Sequence, residues 1–248
     1  MAKATLINTD LCLGCNACTV ECKRNNDLPV GQSISWTRID ELETGTFPNT
    51  KAYFIKQSCK HCTDAACVEV CPVGAASKPD GVHVVINQEE CIGCGYCTMS
   101  CPFGTPHFGE PKGASQKCSY CYGTKIDGEF TACDTACPFG AITSGERDEL
   151  VEEGRKQVAA LQAKGFSNAN LYGEYELGGL NVLYVLTDSP PAYGLPENPK
   201  ISTVVNAWQN VLQPLGWAVG GATLLGLGIN YIVARQAKIK QEHIEKKE

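Results

Sequence analysis

Methionine and histidine are scarce in this 248-residue chain, at 2 and 4 residues, and basic side chains are outnumbered, 21 to 27, for a net charge of -6. The deficit of positive charge removes the electrostatic footprint that a phosphate backbone requires, so nucleic acid is not an expected partner. Met1-Ala2-Lys3-Ala4-Thr5-Leu6-Ile7 leads to the first cysteine with no apolar run and no twin arginine, so no export signal of its own is expected. The sequence also lacks a phosphate loop, a nucleophile–base pair and paired carboxylates, and the expectation is a chain without a catalytic site. Two further absences divide it: no cysteine follows Cys137, and no charge falls among the 34 residues between Lys200 and Arg235. What is present in quantity excludes disorder, since a chain of this length with 43% hydrophobic residues can bury a sizeable core.

The 16 cysteines form four groups with none left over. The first is Cys12, Cys15, Cys18 and Cys22; the second is Cys59, Cys62, Cys67 and Cys71, followed by Pro72. Cys91, Cys94, Cys97 and Cys101, followed by Pro102, form the third, and Cys118, Cys121, Cys133 and Cys137, followed by Pro138, the fourth. Disulfide scaffolds are usually short secreted chains. Four-cysteine zinc sites use two separated pairs and have no use for a third cysteine at the same interval. Iron–sulfur cubanes do: three close thiolates wrap one cluster, while the fourth is carried off to the cluster of a partner group, so the groups must work in pairs. Sixteen ligands then hold four [4Fe–4S] clusters. Gly14, Gly93 and Gly95, with the glycines that follow each Cys-Pro, let the backbone curl around such a cluster and aim N–H groups at sulfur. With every ligand position filled by sulfur, His61 and His107 are expected to be structural, and His83 and His243 suggest nothing.

In the cysteine-free part, Thr143-Ser144-Gly145-Glu146 has the spacing of a capping box. Val151, Gly154, Val158 and Leu161 then recur at helical intervals up to Gly165, an amphipathic helix. Val182, Tyr184 and Leu186 alternate as in a short strand, and Pro190, Pro191, Pro196 and Pro199 read as an extended strap. Val211 to Val233 would make a helix of about 34 Å against a hydrocarbon core of about 30 Å, a single membrane span with Trp208, Trp217 and Tyr231 toward its ends. Gly216 and Gly220 have the spacing that lets a second helix approach. Arg235, Lys238, Lys240, Lys246 and Lys247 follow the span, whereas Lys200 alone precedes it within 20 residues of Val211. The positive-inside rule therefore puts the C-terminus in the cytoplasm and the cysteine-rich head on the other face. The expected organisation is a head over 1–143, a helix, strand and strap over 144–200, the span over 201–234 and a basic tail over 235–248.

Cys59-Lys60-His61-Cys62 and Cys91-Ile92-Gly93-Cys94-Gly95-Tyr96-Cys97 resemble the four-cluster subunits of membrane-bound molybdenum oxidoreductases, a family that includes partners of dimethyl sulfoxide, polysulfide and nitrate reductases. Beyond the clusters, Ala169-Asn170-Leu171-Tyr172-Gly173, Gly178-Gly179, Tyr184-Val185-Leu186 and Tyr193-Gly194-Leu195-Pro196-Glu197-Asn198-Pro199, with the single span, are most similar to beta subunits of the respiratory formate dehydrogenase N type. That resemblance implies an α+β fold of two nested ferredoxin-like modules plus one C-terminal transmembrane helix, the segment 12–22 pairing with 118–137 and 59–71 with 91–101. Carried onto this chain, Cys12, Cys15, Cys18 and Cys137 hold cluster A, nearest the catalytic subunit, and Cys22, Cys118, Cys121 and Cys133 hold cluster B. Cys59, Cys62, Cys67 and Cys101 hold cluster C, and Cys71, Cys91, Cys94 and Cys97 hold cluster D, nearest a membrane cytochrome. Nitrate-reductase relatives replace a cysteine in the third group, whereas Cys94 is kept here, so four cubanes are expected. The implied partners are a molybdenum or tungsten pterin alpha subunit that oxidises formate, a cytochrome b gamma subunit that passes electrons to quinone, and the lipid bilayer. The head would cross the membrane folded, with its partner. A membrane hydrogenase or a sulfur-compound reductase would use the same wiring with another catalyst, and a zinc-stabilised adaptor is the reading outside electron transfer.

Overall fold

The computed structural model describes residues 3–31, 34–109, 113–124, 130–201 and 211–245. Two compact units, Met1–Ile201 and Ser202–Glu248, make up the chain. The first is built on a four-stranded sheet in the order β8, β1, β10, β9, with β1 at Lys3–Asn8, β8 at Ile142–Glu146, β9 at Asn170–Tyr172 and β10 at Val182–Leu186. Strands β1 and β10 run parallel, Thr5 opposite Val182 and Asn8 opposite Val185, and the outer pairs are antiparallel. The alternation expected over 182–186 would leave one face in water. Instead, all five residues are buried, because a parallel pair at the centre of a sheet is covered on both sides.

Helix α5, Arg147–Ala163, covers one face, with Leu150, Val151 and Leu161 packed on Ala4, Leu6, Leu183 and Val185. Its N-terminus differs from the capping box expected there. Thr143 and Ser144 are paired within β8, and the helix starts after Glu146, which makes no side-chain cap; Asp148 and Glu149 place negative charge in the first turn instead. Its C-terminus is a Schellman turn at Gly165, with the Phe166 N–H donating to Leu161 O (3.1 Å) and the Gly165 N–H to Gln162 O (3.0 Å). A Cβ on Gly154 would come within 2.7 Å of Leu171 and 3.3 Å of Leu6, so helix and sheet approach closely at this point. Gly154→Val is expected to cost about 1–3 kcal/mol by overpacking, read as an earlier thermal loss of helical circular dichroism.

The opposite face of the sheet carries Ile7, Ile142, Tyr172, Val182, Tyr184 and Leu186, on which Ile55, Cys18 and Tyr193 pack, with Cys62, Cys133 and Cys137 at the margin. Ile55 comes from a long hairpin, β2 at Thr37–Thr46 and β3 at Asn49–Ser58. The proline-rich strap is tied down by a short 3-10 turn over Pro190–Tyr193, and the buried Tyr193 hydroxyl accepts from Thr9 Oγ1. Four short helices stand next to the cysteines: α1 at Ala17–Asn25, α2 at Ala66–Glu69, α3 at Tyr96–Ser100 and α4 at Ala132–Thr135. They pack in two pairs, α1 on α4 and α2 on α3. Two small hairpins, β4 (Ala76–Ser77) with β5 (Val85–Ile86) and β6 (His107–Phe108) with β7 (Ser115–Gln116), accompany them. The result is a mixed α/β head of ferredoxin-like modules.

In the second unit, α6 spans Gln213–Glu245. Its stretch Gln213–Gln236 is 24 residues long and apolar enough to cross a membrane, with none of it buried in the chain. Pro214 is its second residue. Residues 202–210, with Trp208, and the tail residues Lys246, Lys247 and Glu248 lie outside the described residues.

Candidate iron–sulfur centres

The four groups share one local design. Between the first two cysteines of each, the residue next to the second has a left-handed backbone: Gly14 (φ 70°), His61 (φ 48°), Gly93 (φ 68°) and Tyr120 (φ 61°). That bend turns both thiols toward one cavity. Glycine is required in two of the four places, since a Cβ on Gly14 would stand 2.7 Å from the Phe54 ring and one on Gly93 2.7 Å from Gly113 O. In the other two, side chains accept the bend and use it. The His61 N–H points to Cys59 Sγ at 3.5 Å and the Tyr120 N–H to Cys118 Sγ at 3.4 Å. Further N–H donors meet Cys71 Sγ from Ala76, Cys91 Sγ from Ser115 and Cys121 Sγ from Ala132, each at 3.4 Å. Ser115 Oγ lies 3.2 Å from Cys97 Sγ, and Thr131 Oγ1 3.2 Å from Cys133 Sγ. The backbone N–H donors stabilise a sulfur that carries negative charge.

The cysteines gather in four cavities. Cys12, Cys15, Cys18 and Cys137 line one, together with Ile7 and Ile142 of the sheet. Cys22, Cys118, Cys121 and Cys133 line the second. In the third are Cys59, Cys62, Cys67 and Cys101, and in the fourth Cys71, Cys91, Cys94 and Cys97. The last cysteine of every group therefore faces a cavity that its own group does not otherwise line. The helix pairs explain the exchange: Cys18 and Cys22 lie one turn apart on α1, which packs on α4, so Cys22 reaches the cavity of the fourth group while Cys137, just past α4, reaches that of the first.

Burial makes these thiols reluctant to ionise, pushing Cys18 and Cys22 up to about 11 and Cys67 up to about 12, with neighbouring cysteines adding to the effect. Thiolates in such walls require a compensating cation, which iron supplies. Three buried lysines that the sequence pattern did not mark add to that compensation. Lys56, Lys60 and Lys117 are 3%, 1% and 3% exposed, and none forms an ion pair with a carboxylate among the described residues. Lys60 Nζ donates to the Tyr184 hydroxyl (2.6 Å), which donates to Lys56 O (2.8 Å). Lys117 Nζ donates to Cys118 O (2.9 Å). For Lys56, burial opposes the charge, but Cys133, Tyr184, Cys118 and Cys18 outweigh it and hold the ammonium up. Burial and then the charge of Lys56 push Lys60 down to about 7. A buried ammonium without a carboxylate calls for an anion nearby, and a cubane with four thiolates is one. Cys59-Lys60 and Lys117-Cys118 place two of these lysines beside a ligand in the sequence; nothing local marks Lys56.

Among the described side chains, His61, His83 and His107 stay outside the cavities' sulfur sets. His61 is fully buried, its Nδ1 accepting from the Val84 N–H (3.1 Å), and burial together with the charge of Lys117 holds it neutral. His83 stacks on Tyr120 at 3.8 Å between ring centres, and its Nδ1 lies 2.6 Å from Asp80 Oδ2. The Tyr120 ring in turn meets His61 edge-on at 5.3 Å. His83, which suggested nothing in the sequence, is the outer support of this stack. His107 Nδ1 lies 3.1 Å from Thr105 O.

Residues 50–147 match a family described as a 4Fe-4S dicluster domain, and residues 201–243 match one described as formate dehydrogenase N, transmembrane. Over 247 residues the chain is 37% identical to the nitrate-inducible formate dehydrogenase iron-sulfur subunit of Escherichia coli (strain K12), covering 92% of this chain and 84% of the relative. The chain belongs to the formate dehydrogenase iron–sulfur subunits. A relative in Haemophilus influenzae, also named a formate dehydrogenase iron-sulfur subunit, is 35% identical over 245 residues, 89% of this subunit and 77% of the relative. A component of the anaerobic dimethyl sulfoxide reductase of Escherichia coli (strain K12) is 37% identical over only 66% of this subunit, though over 84% of its own length. The subunit is an electron carrier with four [4Fe–4S] clusters and no catalytic centre of its own, a component of a hetero-oligomer anchored in the membrane. The sixteen thiols, the N–H groups aimed at sulfur and the uncompensated lysines fit such clusters.

Proposed function

We propose that this subunit conducts electrons from formate, oxidised at a molybdenum or tungsten pterin in a separate alpha subunit, through clusters A, B, C and D in that order to a cytochrome b gamma subunit and quinone. The observation that carries the reading is the set of four cavities, each lined by four cysteines and each exchanging one cysteine with a partner group. In this reading cluster A is held by Cys12, Cys15, Cys18 and Cys137, and cluster B by Cys22, Cys118, Cys121 and Cys133. Cys59, Cys62, Cys67 and Cys101 hold cluster C, and Cys71, Cys91, Cys94 and Cys97 hold cluster D. A cluster supplies one-electron transfer by changing charge with little change in shape.

The chain's own residues supply the insulation and the electrostatics. Five of the sixteen thiols, Cys18, Cys22, Cys59, Cys67 and Cys121, are buried from water, while the N–H groups and buried lysines favour the reduced, more negative state. The basic residues that follow the span support a head outside the cytoplasm and a tail within it. Purified complex exposed to formate or to hydrogen under anaerobic conditions tests the donor: formate, and not hydrogen, is expected to produce the low-temperature EPR signals of reduced clusters. Reduction by hydrogen alone would transfer the subunit to a hydrogenase. Protease added to sealed, right-side-out cells tests the sidedness and is expected to cleave the head and spare a C-terminal tag.

A further inference from the structure

Among the described residues, Lys56 is the one common to the walls of the cavity of Cys12, Cys15, Cys18 and Cys137 and of that of Cys22, Cys118, Cys121 and Cys133. It comes from β3, and its Nζ donates to Ser58 Oγ at 2.9 Å. A lone hydroxyl does not neutralise an ammonium, and leaving such a charge buried without an anion is costly. The sulfurs of the two cavities are the negative groups within its reach. The other buried lysines serve elsewhere, since Lys60 and Lys117 line only the cavity of Cys59, Cys62, Cys67 and Cys101. Among the described residues, no lysine lines the cavity of Cys71, Cys91, Cys94 and Cys97.

We propose that Lys56 is a shared electrostatic positioning residue that raises the reduction potentials of clusters A and B together. The inference rests on the ligand sets proposed above. A cubane with four thiolates is a dianion when oxidised and a trianion when reduced, so a fixed positive charge between two of them stabilises the reduced form of each. The effect is strong because little water screens the charges. The same ammonium offsets the repulsion between the two clusters when an electron resides on one and a second arrives on the other. The hairpin β2–β3 therefore does more than cover the sheet: it inserts one cation at the junction of two redox centres.

The test is an EPR-monitored redox titration of the intact complex carrying Lys56→Met or Lys56→Arg, with iron counted in each. Lys56→Met is expected to lower the midpoint potentials of A and B, changing the oxidised-to-reduced ratio of each at fixed ambient potential by about tenfold, or ~59 mV for a one-electron couple. Clusters C and D should keep their potentials, and Lys56→Arg should restore those of A and B. With all irons present, a shift in only one of A and B, an equal shift in all four, or no shift would overturn the proposal. If Lys56→Met does not load its full iron, Lys56→Arg decides: full loading with both potentials at the wild-type values supports the proposal, and displacement of either overturns it. The ligand reading fails separately, through the loss of a different cluster in Cys137→Ser.

Discussion

Cys137→Ser is expected to abolish or convert the cluster held with Cys12, Cys15 and Cys18, and to leave the cluster of Cys118, Cys121 and Cys133 intact. Proximity in sequence predicts the opposite, since Cys137 stands four residues after Cys133. In the fold, however, Cys137 lies just beyond the end of α4, its N–H donating to Asp134 O at 3.0 Å, and its thiol lines the cavity of the first group. Serine offers a harder and shorter ligand where the site is built for a soft thiolate. Iron should fall from about sixteen to about twelve per chain where the cubane is lost, or to about fifteen where it is converted to a three-iron cluster, with one EPR component lost or replaced. Cys22→Ser is the reciprocal case: Cys22 lies on α1 among first-group neighbours but lines the cavity of Cys118, Cys121 and Cys133. Loss of the fourth-group cluster in Cys137→Ser, with the first-group cluster untouched, would refute the exchange of ligands.

Ending the chain after Ile201 is expected to move the subunit, expressed without its partners, from the membrane fraction to the soluble fraction with its iron unchanged. All sixteen cysteines lie in the unit Met1–Ile201, and the span begins only at Gln213. The eight Leu, Ile and Val residues within Gln213–Gln236 favour insertion by about 2–5 kcal/mol on a biological scale. A single charge can offset most of that. Leu225→Arg, near the middle of the span, should cost about 3–4 kcal/mol and release a large part of the protein from the membrane. Retention of the truncated chain in the bilayer would mean that the head carries a membrane-binding surface of its own, and loss of iron would mean that the span supports the clusters.

Much of this was legible from local pattern. Three cysteines at short intervals enclose a cluster because a few residues of backbone bend around it, and that spacing is written in the chain. The helix ending at Gly165 and the uncharged span are equally local. The strand over Val182–Leu186 was legible, but its burial on both faces was not, because that depends on β1, some 175 residues earlier, lying parallel beside it. His61 and Tyr120 occupy the left-handed position that Gly14 and Gly93 hold in the other groups, so a glycine-based reading finds only half of these bends.

The sequence by itself determined the chemistry and the anchor: sixteen sulfur ligands in four groups, paired for clusters, and one stretch apolar enough to cross a bilayer. Only the tertiary structure decided which cysteines face a common cavity and which cations face them. Ligand spacing is a property of a few consecutive residues, whereas the meeting of Cys137 with Cys12 depends on α4 packing on α1. Lysine is ordinarily a surface residue, so nothing about Lys56 in the sequence separates it from solvated neighbours. It becomes a buried charge between two cavities only when the hairpin closes over the sheet.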